Sequence, residues 1–203
     1  VVTAMAVALP WLTTDAPYVL VLAVDVLVAA LFAASLHFIM GPAGLHSFGH
    51  AAYLGLGAYA AAILVLQLGV SAEVAMVAAP LITALVAMPM AWFAVRLSGV
   101  YLAMLTLAFA QIVWSVCFQW DSFTGGSNGL TGVWPSPWLQ NKPTYYALTL
   151  ACVVLGVWVL RRLMASPLGF ALRASRDSVA RAHAIGLNVA RLQWLGFVIA
   201  AAW

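Results

Sequence analysis

Residues 97–120 read LSGVYLAMLTLAFAQIVWSVCFQW, an apolar run that carries no formal charge. A second uncharged run, Val74–Val95, comes directly before it, and Arg96 alone separates the two. A helix needs about 20 apolar residues to cross the hydrocarbon core of a bilayer, and each run supplies that length. The two runs therefore predict membrane-spanning helices, and this prediction decides the fold class.

The composition of the whole chain supports a lipid environment. Of its 203 residues, 66% are hydrophobic and only 6% are charged, whereas soluble domains are about half apolar and about a quarter charged. Only helices and closed barrels satisfy all their backbone hydrogen bonds in lipid. Barrel strands alternate apolar and polar residues over about 10 positions, but this chain has long unbroken apolar runs. We therefore predict an all-α fold, a polytopic transmembrane helical bundle.

The apolar runs divide the chain into six predicted spans. They cover residues 18–40, 48–68, 74–95, 99–119 and 144–160, and a sixth, incomplete span covers residues 191–203. Gly41–Gly44, which includes Pro42, separates the first two, because proline cannot continue a helix and glycine adopts backbone angles that other residues avoid. The last run has about half the length of a span, and the chain has no starting Met. We expect residues 1–203 to be a single transmembrane domain that is a fragment of a longer protein.

The basic residues predict how the bundle is oriented. Six of the eight lie between Arg161 and Arg191, and Lys and Arg are enriched in cytoplasmic loops. With this segment inside, alternation of the spans puts Arg96 inside as well, and Asp15 and the loop 121–142 outside. We therefore expect a multi-pass protein of the bacterial inner membrane. The net charge of +3 reflects this topology rather than binding to nucleic acid.

The stretch between the first two spans contains the candidate residues for a transport path. Broken helices in transporters often lie at such places, and small residues also allow helices to pack closely, so both interpretations stay open. The glycine-rich second span should accordingly pack inside the bundle. The residues assigned to the path or its gate are Gly41, Pro42, Gly44, Gly49 and His50.

Two histidines in this stretch raise the question of a metal site. His46 and His50 are four residues apart, so a continuous helix would place them on one face. No Cys, Asp or Glu lies nearby in the sequence to complete a metal site. We expect no metal site, and no catalytic group either, because no Ser/His/Asp or Cys/His arrangement is recognisable.

Residues 125–129, Gly-Gly-Ser-Asn-Gly, are typical of a tight turn. The stretch lacks the lysine and the preceding buried strand of a phosphate-binding loop. We therefore interpret it as an extracytoplasmic turn formed by Gly125, Gly126, Asn128 and Gly129.

Three stretches resemble a known family. They are Gly41–Tyr59, then Arg96–Phe109 continuing to Trp120–Gly132, and finally Ser166–Asp177 followed by Ala182–Asn188. In this order and at this spacing they resemble the LivM-type permease subunits of branched-chain amino acid ABC importers. The permease of urea ABC importers is a close relative that shares much of the pattern.

The resemblance implies the ABC importer permease fold over the single permease domain 1–203, and it implies several partners. They are a second, homologous LivH-like permease, two cytoplasmic ABC ATPases and a periplasmic substrate-binding protein. The chain has no Gly-x-x-x-x-Gly-Lys-Ser/Thr loop, so we expect no cofactor here, with ATP and Mg bound by the partner ATPases. The turn at residues 125–129 would then shape the outer mouth where the binding protein docks.

The basic stretch 163–190 is by this resemblance the cytoplasmic coupling loop that docks on an ATPase. Its Ser166-Pro167 pair predicts a helix start, and its charged residues fall at the spacing of one short helix. At Ala180 many family members carry Glu, so the chain departs from the pattern there. The residues assigned to coupling are Arg173, Arg176, Asp177, Arg181, Ala182 and Gly186.

Two other classes of function compete with an importer of branched-chain or related amino acids, of urea or of amides. An ion-coupled secondary carrier needs ionisable residues within the membrane, and Asp25 is the candidate that the spans offer. A membrane-embedded enzyme would need paired acids or histidine clusters in the spans, which are absent from the sequence. The importer is therefore the favoured hypothesis, and the chain is expected not to be an enzyme.

The topology is testable with a fluorescent reporter that folds only in the cytoplasm. Fused after Ser127, the reporter should stay dark, because the positive-inside rule puts that loop outside. The same reporter inserted within residues 163–190 should fluoresce. Whole-cell fluorescence measures both, and a bright Ser127 fusion would overturn the orientation.

Overall fold

The computed structural model describes residues 17–134, 136 and 139–203. Asp15, which the predicted topology places on the extracytoplasmic side, is not among the residues that the structure describes. Within them the chain is helical and contains no strand, which confirms the all-α prediction. The helices are α1 Pro17–Met40, α2 Ala51–Leu66, α3 Ala72–Ala94, α4 Gly99–Gln119, α5 Asp121–Thr124, α6 Lys142–Met164, α7 Pro167–Asp177, α8 Val179–Ala184 and α9 Val189–Ala202, with a 3-10 turn at Gly126–Asn128.

Four of the described helices are long and apolar enough to cross a membrane, namely α1, α3, α4 and α6. Two shorter apolar helices, α2 and α9, have 16 and 14 residues. The bundle therefore is that of a polytopic membrane protein.

The helix bounds differ most from the predicted spans at two helices, and by one or two residues at the ends of three others. The helix predicted at 144–160 begins at Lys142 and continues to Met164, so its last turn contains Arg161 and Arg162. Basic residues suit a helix C-terminus, where the carbonyl groups carry partial negative charge, and their aliphatic stems extend along apolar surface. The helix predicted at 48–68 begins only at Ala51, because the preceding residues form the non-helical segment described below.

The helices pack as a bundle in which α9 lies at the centre. Helix α1 packs along α6, α2 packs along α3, and α9 contacts α1, α2 and α3. The core is concentrated at the end of the bundle that carries the arginines, which we call the basic end. The largest buried side chains at the basic end include Phe38 and Ile39 of α1, Leu160 of α6, Leu172 of α7 and Phe197 of α9.

A row of small residues on α3 allows the close approach of its neighbours. The buried positions of this helix are Ala75, Ala79, Thr83, Ala87, Ala91 and Ala94. Residues four apart share a helix face, and small side chains allow helix backbones to approach in a bilayer. Trp194 of α9 donates its ring N–H to the carbonyl oxygen of Met88 at 2.9 Å, which fixes α9 beside α3.

The glycines of the second span have different environments. A Cβ added to Gly49 would overlap the carbonyl oxygen of Thr106 on α4, and a Cβ on Gly57 would lie 3.4 Å from Thr83 Oγ1. A Cβ on Gly55 would meet no atom within 4 Å. The prediction of close packing is therefore confirmed at Gly49 and Gly57 and wrong at Gly55.

Alanine substitutions at two of these glycines should separate packing from helix propensity. Gly49→Ala should lower the free energy of unfolding by about 2–3 kcal/mol, because the added methyl group overlaps α4 backbone. Gly55→Ala in α2 should be neutral or stabilise by about 0.5–1 kcal/mol, because alanine favours a helix over glycine. Thermal unfolding of the purified protein in detergent measures both, and equal stabilities of the two variants would contradict the packing at Gly49.

Candidate functional site

The candidate site is built around residues 41–50, which we call the re-entrant segment. Helix α1 ends at Met40, and the Gly41 N–H donates to the carbonyl oxygen of His37 at 2.8 Å. Pro42 has no N–H to continue the helix, and Gly44 adopts a φ of +66°, which other residues rarely adopt. The next helix does not begin until Ala51.

The re-entrant segment runs back into the bundle beside α4. The backbone N–H of Phe48 donates to the hydroxyl oxygen of Thr106 at 3.1 Å. Thr106 lies seven residues beyond the start of α4, a rise of roughly 10 Å. Gly49 contacts the Thr106 backbone at the same point. Irregular backbone at membrane depth is tolerated only where protein or a cavity covers it, and Thr106 supplies this cover.

His50 ends the segment in a buried polar contact. It is 4% exposed, and its Nε2 lies 3.0 Å from the hydroxyl oxygen of Ser35 on α1. Its ring lies between Phe32 and Tyr53, with centroid distances of 5.6 Å and 5.7 Å. His46, by contrast, is exposed. The two histidines do not share a helix face, and that expectation is wrong because the helix starts after both.

Arg176 of α7 connects the predicted coupling loop to the re-entrant segment. Its Nη1 donates to the carbonyl oxygen of Gly41 at 2.8 Å. A Cβ on Gly44 would overlap the Cγ of Arg176. A salt bridge of 3.0 Å to Asp177 orients the guanidinium group. The fold thus brings together residues 135 positions apart that the sequence analysis assigned to different roles.

The other coupling residues are divided between two helices. Helix α7 begins at Pro167 after Ser166, as the Ser-Pro pair predicts. Ser178 is extended and caps α8 by accepting from the Arg181 N–H at 3.3 Å. The prediction that one helix contains both Arg173 and Arg181 is therefore wrong, because the Ser178 hydroxyl caps a new helix between them.

The remaining residues assigned to coupling have different surroundings. Arg173 donates to the carbonyl oxygen of Met164 at 3.2 Å. Ala182 is buried, and Gly186 ends α8 with a φ of +85°.

The opposite end of the bundle holds the predicted turn. Gly125 ends α5 with a φ of +74°, Asn128 lies in the 3-10 turn, and Gly129 follows with a φ of +65°. A Cβ on Gly126 would overlap a carboxylate oxygen of Asp121. Gln67 at the end of α2 donates to the carbonyl oxygen of Phe123 at 3.1 Å, which ties the turn to the bundle.

A cavity of about 550 Å³ lies at this opposite end, among α1, α2, α3, α6 and the loop before α6. Asp25, Glu73 and Lys142 contribute charged groups to an otherwise largely apolar lining.

Comparison with known proteins bears on this arrangement. The family model described as "Branched-chain amino acid transport system / permease component" matches residues 18–203. The chain belongs to this permease family. The match includes the re-entrant segment and helices α7 and α8, and it confirms the resemblance found in the sequence.

Two curated relatives of the permease carry the same name, "High-affinity branched-chain amino acid transport system permease protein LivM". The protein of Salmonella typhimurium is 28% identical over 196 residues and that of Escherichia coli 29% over 196 residues. Each match covers 83% of this chain and 46% of the relative, so the chain spans about half the length of these relatives. No solved structure matches this permease.

Sequence reasoning missed the polar partners of the re-entrant segment. Ser35 and Thr106 lie in apolar runs of this permease, on α1 and α4, and both are buried. A hydroxyl in a membrane helix often bonds its own helix, as Thr106 does with Ala103 at 2.9 Å. Their positions within apolar spans were the available signal, but which segment they would meet depends on the fold.

Removal of the Thr106 hydroxyl should destabilise the re-entrant segment. Thr106→Val keeps the side-chain shape and leaves the Phe48 N–H unsatisfied, at an expected cost of about 1–3 kcal/mol. Thr149→Val on α6 is the matched control, because among the described residues that hydroxyl bonds only the Tyr145 carbonyl of its own helix.

Hydrogen exchange at the Phe48 amide and thermal unfolding measure the effect of the Thr106 substitution. Faster exchange is expected in Thr106→Val alone. Equal exchange in both variants would show that the Phe48 contact contributes nothing.

Proposed function

We propose that this chain forms the core of a transmembrane permease subunit of an ATP-driven importer for branched-chain amino acids, located in the bacterial inner membrane. Family membership and the names of the two relatives support this substrate class. The observation that carries the mechanism is the hydrogen bond between Arg176 and Gly41, because it connects a water-exposed loop to the break in the membrane helices.

The charge distribution supports a cytoplasmic position for the basic end. Arg96 follows α3, Arg161 and Arg162 end α6, and α7 and α8 lie at the same end. Lys and Arg are enriched on the cytoplasmic side of membrane proteins. The turn at residues 125–129 then faces the periplasm together with the 550 Å³ cavity, where a substrate-binding protein would deliver its solute.

Helices α7 and α8 provide the surface for an ATPase. They and the following Ile185 expose large apolar side chains, with Phe170 60%, Val179 49% and Ile185 72% exposed. Arg173 and Arg181 lie on the same two helices. Large apolar side chains exposed to water mark interaction surfaces, and aromatic and Arg residues are enriched in protein interfaces. A pair of cytoplasmic ATPases would hold ATP and Mg, and one of them would contact this surface.

The proposed coupling step is mechanical. ATP binding favours one of two conformations of the assembled transporter, and the ATPase moves α7. Arg176 transmits that movement to Gly41, and hence to the re-entrant segment that ends at His50. A second homologous permease would complete the path, so that the segment gates a passage at the interface of the two subunits.

Gly41, Pro42 and Gly44 suit the role of a hinge in this gate. Pro42 keeps the segment from extending α1, and Gly44 accepts a backbone angle that would strain other residues. Gly49 fits against α4 without a side chain. The coupling residues at the far side, Ala182 and Gly186, shape α8 rather than contact the segment.

Replacement of Arg176 tests the coupling in the complete transporter, reconstituted in proteoliposomes. Arg176→Gln should lower uptake of L-leucine about tenfold, since a hydrogen bond from a charged donor is worth about 1.5–3 kcal/mol. ATP hydrolysis should continue, because the ATPase surface remains. Uptake and ATP hydrolysis are measured on the same vesicles.

Arg191→Gln is the matched control for this substitution. It removes the same charge from the same end of the bundle. The Arg191 side chain is exposed and makes no hydrogen bond or ion pair among the described residues. Uptake by this variant should equal that of the unmodified transporter. If both variants lose uptake equally, charge rather than the Gly41 contact matters, and the coupling proposal fails.

A further inference from the structure

A groove of about 350 Å³ runs between α2 and α4, and we call it the outer groove. Its volume lies within the range of about 300–1,000 Å³ that is typical of ligand pockets. The residues that carry the argument are Ala51, Gly55 and Tyr59 of α2, Gln111 and Trp114 of α4, and Gly126 of the turn that follows α5.

The outer groove lies at the edge of the bundle rather than inside it. Helix α4 packs against α2 and α3, whereas the central helix α9 packs against α1, α2 and α3. Gln111 is exposed, and Trp114 is 60% exposed, so the groove opens to the outside of the bundle. Its open side is therefore available to a second membrane subunit, as a passage between two permeases requires.

The groove joins two features of the proposed mechanism. Ala51, the first residue of α2, directly follows the re-entrant segment, and Gly126 belongs to the turn at residues 125–129. At the inner end, a Cβ added to Gly49 would lie 3.2 Å from the Cβ of Ala110, which lines the groove. The groove therefore leads from the outer turn to the contact between the re-entrant segment and α4.

The side chain of Gln111 shows that this face of α4 does not meet lipid. Gln111 lies 12 residues after the start of α4 and eight before its end, roughly 18 Å and 12 Å along the helix. Its amide is exposed and makes no hydrogen bond among the described residues. Lipid cannot satisfy such a group, and polar side chains in membrane spans face other helices or water-filled cavities.

Gly55 also indicates that something outside the chain needs the space in the groove. Glycine stabilises a helix less than alanine does, and a Cβ at Gly55 would meet no atom within 4 Å. Packing within this chain therefore does not require a glycine at this position, in contrast to Gly49. The absent side chain leaves the groove wide between its two ends.

We propose that the outer groove is this chain's wall of the translocation passage, and that the Gln111 amide binds an aliphatic α-amino acid as it passes. The inference rests on the proposed function, from which the solute class and the second permease are taken. A side-chain amide has N–H donors and a carbonyl acceptor, so it can bond to the carboxylate and to the ammonium group of the solute. Ala51 and Gly55 leave room for the branched side chain.

The lining of the outer groove favours brief occupancy over tight binding. The described residues that line it include no Asp, Glu, Lys or Arg. A passage must bind its solute strongly enough to admit it and weakly enough to release it, as conduction in channels also requires. A neutral amide meets this requirement better than a buried charge, whose attraction to an opposite charge is much stronger in a low dielectric.

A side chain added at Gly55 tests whether the solute or a helix of the second permease fills the groove. In the complete transporter in proteoliposomes, Gly55→Leu should lower uptake of L-leucine at least about tenfold, as a barrier raised by about 1.4 kcal/mol would do. The second permease and the ATPases should still co-purify with the variant. Uptake equal to that of the unmodified transporter would overturn the passage, and loss of the second permease would show that one of its helices fills the groove instead.

The role of the amide is tested by Gln111→Leu, which removes the polar group and keeps a side chain of similar size. Uptake of L-leucine should again fall about tenfold, while ATP hydrolysis continues. Gln119→Leu is the matched control, because Gln119 lies on the same helix, bonds Ser115 and does not line the groove. Equal uptake by the two variants would overturn the role of Gln111.

The failure of the proposed function would look different. An unmodified transporter that accumulates neither L-leucine nor L-valine would refute the substrate class, and with it the binding of such a solute to Gln111.

Thiol labelling tests the outer groove without measuring uptake. In a transporter with Cys117 and Cys152 replaced by alanine, Gln111→Cys should react with a charged, water-soluble thiol reagent, and L-leucine should slow the reaction. Ile112→Cys is the control at the same depth, because Ile112 is 54% exposed and does not line the groove, so its thiol should stay unreactive in lipid. An unreactive thiol at residue 111, or a rate that L-leucine leaves unchanged, would overturn the proposal.

Discussion

The contact between the re-entrant segment and α4 is the constraint on which the rest of this permease depends. Non-helical backbone cannot face lipid, because its N–H and C=O groups would lose their hydrogen bonds. The Thr106 hydroxyl satisfies the Phe48 N–H, and the absence of a side chain at Gly49 allows the two backbones to touch. Without this pair the chain between α1 and α2 would have to leave the membrane, and His50 would not reach the interior.

The polar contacts that hold the segment are individually weak. Interhelical hydrogen bonds in membrane proteins average about 0.6 kcal/mol. Besides the exposed contact of Arg176 with Gly41, the segment has one from Phe48 to Thr106 and one between His50 and Ser35. Two such bonds are enough to select a conformation without making it irreversible. Such a balance would suit the proposed gate, since a ligand or partner shifts an equilibrium only by its differential affinity for the two states.

The basic end joins this segment to the loop that faces water. The carbonyl groups at the C-terminus of α1 lack helical partners, and they carry partial negative charge. Arg176 satisfies the carbonyl of Gly41 while Asp177 fixes its guanidinium group. Helix α7 also packs against α6 and α9. A movement of α7 would therefore displace both the end of α1 and the helix at the centre of the bundle.

The amino-acid sequence by itself determined the fold class, the helical spans, the break at Gly41–Gly44 and the family, because long apolar runs, proline and glycine act locally. It did not determine that helix α2 starts only at Ala51, that Ser178 divides the predicted coupling loop, or that Gly55 lies beside open space. Only the tertiary structure decided that Arg176 meets Gly41, that Thr106 covers Phe48 and that His50 bonds Ser35. These contacts join residues far apart in the chain, and local sequence patterns carry no information about which distant partner a polar group will meet.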